Sequence, residues 1–288
     1  MKSINRFFKC GMSIRTGGGF PWGSHLFALV GVVFVLSSFA AASAGAGEGQ
    51  KHAKKTAAAL FSAPGVDRER LIDTLTRTFD DVVFGSELSP KTRSKVIAKW
   101  QGPIGIEIQG RVTKRHAQFL ETHLRTLADL TGLRFHQLKK NKATSEIGMQ
   151  KISFVFVRRA EMGAIKIPGV DPLIIKRLAL EGGCYFLSFK KPPERIVLSI
   201  VVVNVERNIR NLNACLLEEL VQSLGLPNDT NIMRPSVFSD RNRLTKLSPS
   251  DRALVLALYD PRMKAGLARD KAVSLAQALF RKMATGGR

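Results

Sequence analysis

The chain has 288 residues, with 45 Lys and Arg against 23 Asp and Glu, a formal net charge of +22, and 44% hydrophobic residues. That apolar share excludes a disordered or collagen-like chain, and a count of three cysteines excludes a miniature scaffold held by disulfides. The charge invites nucleic acid, yet Trp100, Tyr185 and Tyr259 are not interleaved with the basic runs as a single-strand stacking platform needs, so no nucleic-acid partner is expected.

Met1 to His25 carries Lys2, Arg6, Lys9 and Arg15 and no acid. An apolar run from Leu26 to Leu36 follows, then small residues in which Ala42-Ser43-Ala44 fits a signal-peptidase site. Residues 1–44 therefore read as a secretory signal peptide, with an uncleaved anchor as the alternative. The apolar run is shorter than the roughly 20 residues that span a bilayer, so no stable membrane span is expected once the signal is cleaved. The product is expected to be exported, either periplasmic or secreted. Cys10 leaves with the signal. Cys184 and Cys215 then meet an oxidising compartment and are expected to pair, two buried free thiols being the other reading.

Residues 45–66, rich in Ala, Gly, Ser and Lys, read as a disordered leader. Residues 67–288 read as a single α+β domain. Asp67 caps a first helix reaching about Val83, with Leu71, Ile72, Leu75 and Phe79 on one face. Leu88 to Lys91 is a turn. Ile104, Ile106 and Ile108 alternate along a half-buried strand that ends at Gly110. Thr113 to Leu130 is a second helix stopped by Gly132. His116 and His123 lie on one side of it, where packing is favoured over metal binding. Leu133–Leu138 and Ile152–Val157 are strands, with a charged loop from Lys139 to Thr144 between them. Pro172–Leu180 is a short helix, and Cys184–Phe189 a strand. The β-branched run Ile196–Val203 predicts a central strand buried on both faces. A long helix, Ile209–Leu224, ends at Gly225. Ser248-Pro-Ser-Asp251 opens another helix with its own cap. Asp270–Ala284 closes an all-helical C-terminal part. Helices and strands in this order predict a mixed sheet with helices packed on it.

The long helix carries the chemistry. Its sequence runs Cys215-Leu-Leu-Glu-Glu-Leu-Val-Gln-Ser-Leu-Gly-Leu-Pro-Asn-Asp229. This has the spacing of the zinc-peptidase pattern H-E-x-x-H-x-x-G-x-x-H with every histidine replaced. On that frame Glu218 and Gln222 take the first two metal-ligand places and Glu219 the general base. Asn228 or Asp229 takes the third ligand place. At about 100° per residue, Glu218, Glu219 and Gln222 share one side of the helix, opposite a Leu/Val stripe, and are expected to face solvent. Zinc prefers His and Cys, so an all-oxygen set suits a harder divalent cation such as Ca²⁺, Mg²⁺ or Mn²⁺. Three outcomes follow: a changed metal, a metal-free Glu218–Glu219 acid/base pair, or a scaffold kept for binding.

These residues, with Pro235-Ser-Val-Phe238, Leu247-Ser-Pro-Ser-Asp251, Leu258-Tyr-Asp-Pro261 and Gly266, resemble a bacterial family known as domain of unknown function 2927 (DUF2927). The Cys184-Tyr-Phe186 strand start and the Ile196–Val203 strand fit as well. The resemblance covers about residues 102–266. It implies an exported α+β domain, zincin-like at a distance, in which Glu, Glu and Gln are the usual occupants of these places. The expected function is a metallopeptidase-like hydrolase of unknown substrate, with an extended peptide as partner. The alternative is a non-catalytic envelope protein that binds anionic surfaces or a protein partner.

Overall fold

The computed structural model describes residues 55–86, 93–138, 150–180, 183–239 and 241–286. The N-terminal segment read as a signal, the Leu88–Lys91 turn and the Lys139–Thr144 loop lie outside them. Among the described residues no helix is long and apolar enough to cross a membrane.

Five strands form one sheet: β1 (Ile104–Gly110), β2 (Phe135–Gln137), β3 (Lys151–Val157), β4 (Cys184–Lys191) and β5 (Arg195–Asn204). They lie in the order β2-β1-β3-β5-β4. The first four in that order run parallel, and β4 is antiparallel to β5. The fold is thus α+β with a mostly parallel sheet. β3 takes the middle, its Phe154 and Phe156 fully buried. The β-branched run forms β5, an interior strand next to the edge rather than the central one. Only its last four residues, Val201–Asn204, are continuously buried.

The helices begin where local chemistry says they should. α1 (Arg68–Phe84) is capped by Asp67, whose carboxylate accepts from the Arg70 amide. α2 (Lys114–Thr131) opens on a box in which Thr113 and His116 bond each other's backbones, and it ends at Gly132 in the left-handed region. Two short helices, α3 (Arg159–Met162) and α4 (Pro172–Leu180), lead into β4. α5 (Ile209–Gln222) follows β5, and α6 (Pro249–Leu258) and α7 (Arg269–Ala284) complete the chain.

Alternation along β4 assigns the layers. Cys184 and Phe186 pack on the main core with α5, while Tyr185, Leu187 and Phe189 pack on a second cluster with Met162, Ile167 and Ile175. So α4 lies over one face of the β4–β5 pair and α5 over the other. The Tyr185 hydroxyl donates to the Met162 carbonyl at 2.9 Å and pins the α3 end of that outer layer.

α1 and α7 pack side by side. Phe79 meets Phe84 and Phe280 edge-on, and Asp80 accepts two bonds from Arg269 at 2.6 and 2.7 Å. Residues 55–66, part of the expected leader, include two that are packed, while residues 62–65 are exposed. Ala57 and Phe61 are buried in the main core, because Ala57, Leu60 and Phe61 have helical spacing and the segment turns through Ala59–Phe61.

Candidate functional site

α5 is fixed at both ends and in its middle. Its N-cap Asn208 accepts from the Asn211 amide at 2.9 Å. Cys215 is joined to Cys184 at the start of β4, a disulfide that ties the motif helix to the edge strand. The carbonyls just past its end accept from afar. Trp100 Nε1 donates to Ser223 O and the Tyr259 hydroxyl to Leu224 O, both at 2.8 Å. Gly225 has φ of 109°, and a Cβ there would collide with the Ala98 carbonyl, so glycine is required where helix end meets backbone.

The loop after α5 folds back along it. The Asn228 amide nitrogen donates to the Asp229 carbonyl at 2.8 Å, and its backbone N–H donates to Val82 O at 3.2 Å. Gly85, just past α1, lies so close to this side chain that a Cβ would strike it. Asn228 is therefore engaged against the end of α1. Farther along, Asp251 accepts from Ser236 Oγ, the Val237 amide and the Ser248 amide at 2.6, 3.2 and 2.9 Å. Burial pushes the Asp251 carboxyl above its ordinary value, against these hydrogen bonds, which pull it down. This buried carboxylate ties the loop to the start of α6.

Periodicity correctly puts Glu218, Glu219 and Gln222 on one side of α5, but that side does not face solvent. Glu219 is 8% exposed and Gln222 3%, while Glu218 is half-buried. The returning loop meets the end of the row: Gln222 Nε2 donates to Asp229 Oδ1 at 2.6 Å. The structure thus brings Gln222 and Asp229 together. Arg207, just before the helix, is the residue sequence reasoning missed. Burial and nearby Arg243 lower its pKa, while Glu218 and Glu219 raise it, so it lies within electrostatic reach of both carboxylates. Its Nη1 points at Cys215 Sγ, 3.8 Å away, and its guanidinium occupies the space a Cβ on Gly183 would need. No local pattern marks Arg207, because its partners lie on the following helix and beyond it.

The residues present do not fit zinc. Among the described residues no group of three or more His, Cys, Asp or Glu side chains is gathered as a metal cage requires. The amides of Gln222 and Asn228 present their nitrogens to oxygens of Asp229, which leaves only their carbonyl oxygens to offer, a poor match for a metal that prefers His and Cys. The two helix histidines serve packing. His116 stacks on Phe156 with ring centroids 5.4 Å apart and accepts from the Thr113 amide. His123 Nε2 lies 2.7 Å from Asn213 Oδ1 on α5. Burial lowers the pKa of both.

No curated protein matches the chain. The family model described as a protein of unknown function, DUF2927, matches residues 73–278, wider on both sides than the resemblance read from the motifs. That span holds the whole sheet, the motif helix, the disulfide and the returning loop, and it places the chain in the DUF2927 family.

Proposed function

We propose that the protein is an exported, metallopeptidase-like domain that recognises an extended peptide rather than hydrolysing it. The observation that carries this reading is the Gln222–Asp229 hydrogen bond, which commits two of the four expected ligand residues to each other. Arg207 supplies the positive charge that an ion would otherwise bring to Glu218 and Glu219. Glu219 could act as a general base only beside a cation able to ionise water near neutral pH. The peptide's place is the outer edge of β4, which pairs with no strand among the described residues and is joined to the motif helix through Cys184–Cys215. An unpaired strand edge takes a further strand through backbone hydrogen bonds. Export is supported by the basic and apolar N-terminal segment, the small-residue cleavage site and the disulfide.

Metal analysis of the purified protein, together with a peptide-library screen for both cleavage and binding, tests this. Expected are no stoichiometric divalent metal, no cleavage, and saturable binding that weakens when alternate peptide nitrogens are methylated. Stoichiometric metal, with cleavage lost in Glu219→Gln, overturns it and restores the hydrolase.

A further inference from the structure

Four large apolar side chains are markedly exposed among the described residues, and three of them stand on the nine-residue helix α4: Leu173 at 69%, Ile174 at 37% and Leu180 at 75%. This is an arrangement and not a scatter. Ile175, Leu178 and Ala179 face inward and pack on the β4–β5 pair. At about 100° per residue, Leu173 and Leu180 fall within about 20° of each other on the opposite side, roughly two turns apart. Lys176 flanks that line on one side and Arg177 on the other, both exposed. An apolar ridge bordered by cations is the profile of a helix that lies in a lipid headgroup layer, its leucines below the phosphates and its cations among them.

The surrounding charge has the matching sign. Arg158, Arg159 and Lys166 are exposed on the segment leading to α4. The acids of this region are Glu161, paired with Arg158 and Arg111, Asp171, which accepts from the Leu173 amide, Glu206, which accepts from the Arg159 amide, and Glu181, which lies outside the described residues. We infer that α4 is an interfacial anchor that seats this face of the protein on an anionic phospholipid bilayer. The peptide-recognition reading uses the edge of β4 and does not depend on this contact. A bilayer fits better than a globular partner because the ridge is narrow, short and edged by cations on both sides, whereas protein interfaces have charge-depleted cores.

The test is co-sedimentation with large unilamellar vesicles, either phosphatidylglycerol mixed with phosphatidylcholine or phosphatidylcholine alone. The protein is used as it accumulates in the host, with its N-terminus read by mass spectrometry. Any contribution of the N-terminal segment is then common to all variants. Wild type is expected to partition onto the anionic vesicles and only weakly onto the zwitterionic ones, with added salt reducing binding. Leu173→Ser/Leu180→Ser is expected to lower partitioning about tenfold or more, since both leucines lose their insertion energy. Lys176→Gln/Arg177→Gln is expected to lower it on anionic vesicles only. These side chains are exposed, so the thermal transition should not move, and it serves as the folding control. Equal binding by wild type and the leucine variant would overturn the inference and assign retention to the general basic surface. So would wild-type self-association that the leucine variant abolishes, which would make α4 a contact between copies.

Discussion

Replacing both Cys184 and Cys215 with Ala measures how firmly the motif helix is held. The bond closes a separation of 31 residues that contains all of β5 and the first half of α5. Freeing a loop of that length in the unfolded chain removes about 3–4 kcal/mol of stability on the chain-entropy account. A domain of this size has about 5–15 kcal/mol in total, so the loss is a large fraction of it. At about 2–4 °C per kcal/mol, the melting temperature should fall by roughly 6–16 °C. Thermal and urea unfolding of the oxidised wild type, the reduced wild type and the double-alanine variant form the assay. Reduced wild type and the variant should agree. A variant within about 1 kcal/mol of oxidised wild type would refute the reasoning, because the constraint would then act on an unfolded chain already compact across this loop.

Acid should act through Asp80. The Arg269 hydrogen bonds, and secondarily Arg93, hold its carboxyl below the ordinary value of 3.8 against the opposing effect of burial. A depressed folded pKa gives stability that is present above the unfolded value and lost as pH falls through the folded one. Asp80→Asn should therefore flatten the acid limb of a stability profile below about pH 4 and cost about 1 kcal/mol at neutral pH. An unchanged acid limb would remove the α1–α7 brace from the account. Lys99 gives a slope of the same sign in an alkaline window. Burial lowers its pKa to about 8, with Asp260 opposing. Its Nζ donates to Leu258 O and Met263 O at 2.7 and 2.8 Å. Between that value and the ordinary 10.5 the unfolded chain binds more protons, so stability should rise with pH across this window. Lys99→Met should remove the rise and cost about 1–3 kcal/mol at neutral pH by orphaning two carbonyls. A slope that survives the substitution would mean another group titrates there.

What was legible in the sequence was local. The caps at Asp67 and Ser248 and the stop at Gly132 each depend on residues three or four apart, and all three stand as read. The strands showed through alternation or β-branching. The four-residue helix α3 escaped notice because a single turn has no period to detect. The polar row on α5 was half legible. Spacing says which residues share a side but not what later meets it. Asp229, seven residues on, meets its end here, with Arg207 upstream. Lys99, Trp100 and Tyr259 gave no signal as partners of buried carbonyls, since Trp100 reaches across 123 residues and Lys99 across 159 to Leu258. The exposed leucines of α4 were assigned only to a short helix, because burial depends on the neighbours that the fold supplies.

The bonds from Trp100 and Tyr259 bear on when the exit of the motif helix is fixed. One donor arrives before the sheet begins and the other only at the end of α6, so the Ser223 and Leu224 carbonyls just past α5 gain these partners only after both have docked. Contacts spanning such distances form late, after loop-closure entropy has been overcome. On a chain emerging from its N-terminus, the backbone that leaves the motif helix would lack the second of these partners until Tyr259 had followed. An excised fragment ending before α6 would carry the motif helix without the Tyr259 bond at its exit.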